Sequence, residues 1–385
     1  MGQSRSRAVV GAVLDGETIG LSSAQRGFVS ATKKATKRLS AVALDFTKRD
    51  HELDTTHSPE DTLTCRVVAD DDYRDMKSAQ KALQMAEGQR FSICMSSSGQ
   101  LVAACGTSGS VMVWNVVTGH VVLEAKNPYG SCNSVCLSAD GSRVAYIGRD
   151  GRAKVHDIGG RDASPRIFLA SGKSYLRRVT LDHNGRTLLA CAQDGTLQMF
   201  EVDRGTCIGV VPAHRGTAWG VQMNNMGSHA VTCGADGVVG IWDLQTLHRV
   251  KHFDDSREMT PAKFWCVSMS SNVGNMVVAA AAEDCSVRVW NMNSQLQVAK
   301  LKHQQWIWSV AVSVSGDRVA ACGGHLIYVW DVQSSRIIQC FHVPQAAWVW
   351  SVSLGDSDVA ALSSDGTVWI WDIEEASVKR TLKLP

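Results

Sequence analysis

From residue 90 onward, apolar and polar positions alternate in short runs broken by Gly, Asp, Asn and Ser. Ser309-Val310-Ala311-Val312-Ser313 is one such run, and SVSG (313–316) follows it as a turn. VAACGG (319–324) then reads as a second strand of small residues. A tight turn, usually Asp-Gly, leads to a third strand ending on an aromatic residue, and a fourth strand such as HVVLEA (120–125) or SVKRTLKL (377–384) completes the unit. Period-two alternation punctuated by turn formers predicts antiparallel strands joined by hairpins. The same turn recurs as SSSG (96–99), SADG (138–141) and DHNG (182–185). Seven closing dipeptides mark the period: Trp114-Asn115, His156-Asp157, Phe200-Glu201, Trp242-Asp243, Trp290-Asn291, Trp330-Asp331 and Trp371-Asp372. Their spacings are 42, 44, 42, 48, 40 and 41 residues.

A strand-rich unit of that length ending in Trp-Asp resembles the WD-repeat family, over residues 90–385. The resemblance implies an all-β fold, a seven-bladed propeller of four-stranded antiparallel blades. One such blade cannot bury both of its faces, and packing blades in a closed ring buries them against each other and protects the edges. In many relatives an N-terminal strand completes the last blade, whereas here residues 377–385 can supply that strand. The resemblance also implies a buried polar set in each blade: a loop His, a Ser or Thr on the second strand, a turn Asp and the Trp. Counting six residues back from each closing aromatic gives Asp150, Asp194, Asp236, Asp284 and Asp365, with Ser108 and Gly324 in blades one and six. His214, Thr232, Asp236 and Trp242 form one complete set; His303 lacks its Asp. A catalytic role for His214 and Asp236 is set against this structural one, and the spacing favours structure. No nucleophile elbow, phosphate loop or H-E-x-x-H accompanies them, so the expectation is that the chain is not an enzyme and takes no cofactor, metal or small-molecule substrate.

In the family, the start of each first strand and the position two before it face the ring's upper opening, where partners bind. Here those positions hold Phe91, Trp219, Trp265, Trp306, Trp308, Trp348 and Trp350 in blades four to seven and one, and Tyr175 and Arg177 in blade three. Arg149, before the turn Asp of blade two, joins the second group, as does Arg178. Two readings stay open. The indoles fill gaps between blades near the axis, or they form a partly exposed crescent beside an arginine patch. The second would suit an extended peptide with apolar anchors and an acidic end, or a methylated lysine held by cation–π contact.

Composition changes little in this picture. The chain is 385 residues with 44% hydrophobic residues and a net charge of +2, which gives no global pull toward nucleic acid or membrane. Its twelve cysteines form no C-x-x-C pair, so they are expected as small buried residues in a reducing, cytoplasmic setting, with nuclear or membrane-peripheral locations as alternatives. Residues 1–60 read as a basic, flexible arm, and residues 26–49, with seven basic residues and one acid, open a route to nucleic acid. Gly2 with Ser6 fits the N-myristoylation pattern, on which peripheral membrane contact would depend. Residues 61–89 predict a short strand (62–68) and an amphipathic helix (70–87) leading into the propeller. The function expected is a non-enzymatic scaffold that binds one or more proteins within a larger complex. The alternatives are a ubiquitin-ligase substrate receptor and a ribonucleoprotein assembly factor. For the first of these, relatives often carry Arg two residues after the closing Asp, where this chain has Val117, Gly159, Gln245, Asn293, Gln333 and Glu374, with Arg204 one place off in blade three.

Overall fold

A computed structural model describes residues 91–160, 164–171, 174–254, 263–272, 274, 276–343 and 348–385. The expected arm, the strand at 62–68, the helix at 70–87 and Gly2 lie outside the described residues. Among the described residues there are seven sheets of four antiparallel strands, each built from consecutive strands, and no α-helix. The seventh sheet takes all four of its strands from the C-terminus: Val349–Leu354, Asp358–Ser363, Thr367–Asp372 and Val378–Lys383. The last strand of the chain therefore completes its own blade.

The innermost strands of the blades are Ser92–Met95, Cys132–Leu137, Leu176–Leu181, Ala218–Met223, Phe264–Met269, Ser309–Val312 and Val349–Leu354. Each touches the next, and the seventh touches the first, so the ring is closed. No blade has a core of its own. Seven apolar clusters lie at the seven junctions, each drawn mainly from two neighbouring blades, as where Phe91 and Ile93 pack with Ala360, Leu362 and Ile370. Small residues suit the second strands because blades press on both of their faces; Val277–Ala282 is buried at every position. Outer strands, such as Leu296–Lys302, have one face on their own blade and one in solvent, and their burial alternates accordingly.

The inner strands leave a row of backbone N–H groups on the axial edge of each sheet, where no further strand pairs with them. Side chains of the preceding blade accept these bonds. Val135 N–H donates to Ser92 Oγ, Leu137 to Cys94 Sγ, Val179 to Ser134 Oγ, Met223 to Thr180 Oγ1, Met269 to Gln222 Oε1 and Val312 to Ser268 Oγ, while Ile93 and Met95 return to Ser351 and Ser353, all at 3.0–3.4 Å. Six of the seven junctions are stitched in this way. At the remaining junction, between blades six and seven, Ala311 stands where the others carry an acceptor. At the lower end of the ring the hairpin turns bond one another: Asp140 N–H to the His183 carbonyl, His183 N–H to the Asn225 carbonyl, and Asn225 N–H to Ser271 Oγ. Asn225 Nδ2 also donates to Ser97 Oγ at 2.9 Å, joining blade four to blade one.

Candidate functional site

The upper rim is shaped by a recurring β-bulge. In five blades the pairing of the first two strands slips by one residue at the same place, leaving Asn133, Arg177, Trp219, Trp265 or Trp350 out of the ladder. A bulge twists the strand and re-aims the side chain of its extra residue. Here the slip falls at the rim end of each first strand, where Trp219 and Trp350 still pack in part against the apolar clusters between blades. In blade six the ladder begins one residue later, with Trp308 N–H still bonded to the Cys322 carbonyl at 2.9 Å.

The side chains so placed form two aromatic runs. In one, the Arg177 guanidinium lies over the Trp219 ring, 5.4 Å from its centre; Trp219 meets Trp265 and Trp265 meets Trp306, each at 5.8 Å. In the other, Trp308 and Trp350 approach to 4.7 Å and Phe91 lies 6.3 Å from Trp350. Trp348 stands beside His325 at 5.9 Å. The two open readings thus divide by residue. Phe91 (8% exposed) and Trp306 (7%) are buried, by blade closure and by the turn beneath Trp306, so they offer a partner little surface. Trp219, Trp265, Trp308, Trp348, Trp350 and Arg177 are half-buried, and Arg149 and Tyr175 are exposed. At the turn-Asp position of blade six Gly324 has φ +57, a left-handed backbone that favours glycine, and a Cβ on the neighbouring Gly323 would run into the Trp306 carbonyl. The loop bearing Trp306 lies flat on that turn.

The indole N–H groups of Trp265, Trp308 and Trp350 are enclosed and have no hydrogen-bond acceptor. An enclosed, unpaired donor costs about 1–3 kcal/mol, so apolar packing alone would be served at least as well by phenyl rings.

Below the rim, blade four holds a directional chain of hydrogen bonds. Trp242 Nε1–H donates to Thr232 Oγ1 (2.9 Å), Thr232 donates to His214 Nε2 (2.8 Å), and His214 Nδ1–H donates to Asp236 (2.9 Å). This is the one arrangement of protons that satisfies all four groups. Burial pushes the His214 imidazole below its ordinary pKa, against the pull of Asp236, so a neutral imidazole donates to the Asp236 carboxylate with both ring nitrogens engaged. Asp236 is held low in spite of burial by the Arg215 N–H and by His214. Replacing Thr232 with Val should leave the indole and the imidazole both unpaired and lower unfolding stability by about 2–3 kcal/mol, as read by chemical denaturation. A loss below about 0.5 kcal/mol would show the chain to be dispensable.

The other turn carboxylates find different partners. Asp150 holds buried Lys154 at 2.7 Å, and Lys154 also donates to Asn127 at 3.1 Å. Asp284 holds Arg288, which is 0% exposed, at 2.7 Å. Burial raises the Asp284 carboxyl, but hydrogen bonds from Arg288 and Ser286 keep it below its ordinary pKa. Asp365 accepts from Ser363 (2.6 Å), and Ser363 also accepts from Trp369 (3.3 Å). The Asp194 carboxylate accepts from Thr196 in its own turn, and the Asp194 N–H donates to Ser174 Oγ at 3.2 Å. The expectation of a His partner therefore applies to blade four alone. Sequence reading missed Lys154 and Arg288, whose signal is a charge four residues after the turn Asp, in the middle of a buried strand.

The sequence profile of the WD domain, G-beta repeat, matches residues 86–115, 205–243, 259–291 and 295–331. Among characterised relatives, the chain is similar to Autophagy-related protein 16 of Arabidopsis thaliana, 21% identical over 66% of this chain and 50% of that protein. It is 23% identical to the E3 ubiquitin-protein ligase COP1 of the same plant, over 40% of this chain and 23% of that one. WD repeat-containing protein 90 of Xenopus tropicalis matches at 22% identity over 72% of this chain and 16% of its own length. The chain spans half or less of the length of these relatives.

Proposed function

This chain carries WD40 repeats in a seven-bladed β-propeller, and from that premise we propose that it is a non-enzymatic scaffold whose upper rim holds a partner protein. The observation that carries this reading is the bulge repeated in five blades at the rim end of the first strand, where Trp219, Trp265, Trp350 and Arg177 stand half-buried. Fixed backbone geometry holding large aromatic and arginine side chains at a concave opening is how interface anchors are presented. A catalytic reading of His214 finds no support: both imidazole nitrogens are occupied, and the hydroxyl beside them, Thr232, is fully buried and already accepts from Trp242.

A second reading, ubiquitin-ligase substrate receptor, draws on the name of the COP1 relative. The missing Arg after the closing Asp in most blades weighs against it. The nucleic-acid reading draws only on residues 26–49, and a cytoplasmic, reducing location draws on the eleven free cysteines among the described residues.

The test uses indole-to-phenyl changes that keep the fold. In Trp308→Phe/Trp350→Phe, loss of area is offset by removal of two unpaired donors, so stability should stay within about 1 kcal/mol of wild type. Affinity purification with equal amounts of the two proteins should show partners lost from the variant. Recovery of the same partners at the same yield would make the rim a packing feature.

A further inference from the structure

The upper face is divided by charge. Blades two to four carry Arg149, Arg152, Arg177, Arg178 and Arg215 there; three are exposed and Arg177 and Arg178 half-buried. None makes a side-chain ion pair among the described residues, and the Arg177 guanidinium lies over the Trp219 ring. Elsewhere in the same blades Arg143 and Arg166 pair with Asp157 and Arg204 with Glu201, while the exposed Arg186 and Arg249 pair with no described acid. What distinguishes the upper face is that five arginines gather there. Its acids are already engaged, Asp150 by Lys154, Asp236 by His214 and the Arg215 N–H, and Asp194 by its own turn. Tyr175, 56% exposed, stands among these arginines.

The geometry points to a carboxylate-rich segment of the partner protein as the ligand of this sector, an inference that rests on the upper face being the partner surface. Guanidinium forks match carboxylates in pairs of parallel hydrogen bonds, and all five cations are arginine rather than lysine. The sector ends where Arg177 covers Trp219, so a run of Asp or Glu would lead directly to an apolar anchor on the indoles. Nucleic acid fits less well: the charge is gathered at the ring's mouth rather than spread along a groove that tracks a phosphate backbone.

The 385-residue chain titrated with poly-L-glutamate should bind it, with affinity falling as salt rises. Because residues 26–49 are also basic, the informative quantity is the change on substitution. Arg149→Glu/Arg152→Glu/Arg215→Glu should bind at least tenfold more weakly with an unchanged melting temperature, and the three Lys replacements should recover part of the loss. Trp308→Phe/Trp350→Phe should bind poly-L-glutamate as wild type does. Binding by the Glu variant within twofold of wild type would overturn the inference. So would tighter binding of poly-uridylate through the same arginines. In partner capture, a Glu variant that retains every partner while the indole variant loses them removes this inference and leaves the rim as the partner surface. Retention by both removes both.

Discussion

Asp150→Ala should lower the unfolding free energy by about 3–5 kcal/mol, because it strands a cation in the packed layer of blade two. The side chains of Lys154 and Asp150 are 4% and 9% exposed, and the ammonium has Asp150 at 2.7 Å and Asn127 at 3.1 Å. Replacing the whole pair has a different sign from breaking it. Lys154→Met with Asp150→Ala exchanges two buried charges for apolar volume, and such exchanges are neutral to stabilising by about 1–4 kcal/mol. Urea denaturation of Asp150→Ala, Lys154→Met and the double variant gives the cycle. A double variant as unstable as Asp150→Ala would mean that the carboxylate serves the turn rather than the lysine.

The second large effect depends on pH. His303 is buried, its Nδ1 lies 2.9 Å from the Gln305 carbonyl, its Nε2 has no partner, and its ring packs against Tyr328 (4.8 Å) and Trp330 (6.4 Å). Burial lowers its pKa from the ordinary 6.5 to about 4. The unfolded chain therefore takes up a proton between those values and the folded chain does not. Stability from this source is complete above pH 6.5 and is lost as pH falls toward 4, at about 1.4 kcal/mol per pH unit and on the order of 3 kcal/mol in all. His214, also lowered by burial, acts in the same direction. The carboxylates held low by hydrogen bonds, such as Asp284 and Asp236, lose their contribution only below the ordinary value of 3.8, so the two windows are separate. His303→Phe keeps an aromatic ring beside Tyr328 and removes the titration. Its stability should decline less steeply than wild type between pH 6.5 and 4.5, with His214 still contributing, and parallel curves for the two proteins would refute the assignment.

The ring was legible in the sequence because its period is enforced everywhere: each blade must end one strand and turn at the same place, and Trp242, Trp290, Trp330 and Trp371 record it. The rim was legible as a set of positions but not as a set of exposures. Whether Trp306 or Trp348 meets solvent depends on the glycine turn beneath one of them and on neighbours from another blade, which no local pattern encodes. The axial stitching was written in plain sight, as Ser92, Ser134, Thr180, Ser268 and Ser351 on otherwise buried strands. It went unread because alternation predicts which face a residue takes, and does not say that the face belongs to the next blade's unpaired N–H groups. Lys154 and Arg288 escaped for a related reason: the family's pattern assigns the turn carboxylate a histidine, while the chemistry asks only for a donor.

The bond between Asn225 and Ser97 ties together two blades that are not neighbours, so it must cross the axis at the ring's lower end. A polypeptide threaded through the hole would have to sever it. A loop reaching in from above would meet this cross-tie at the bottom of the ring rather than an open bore.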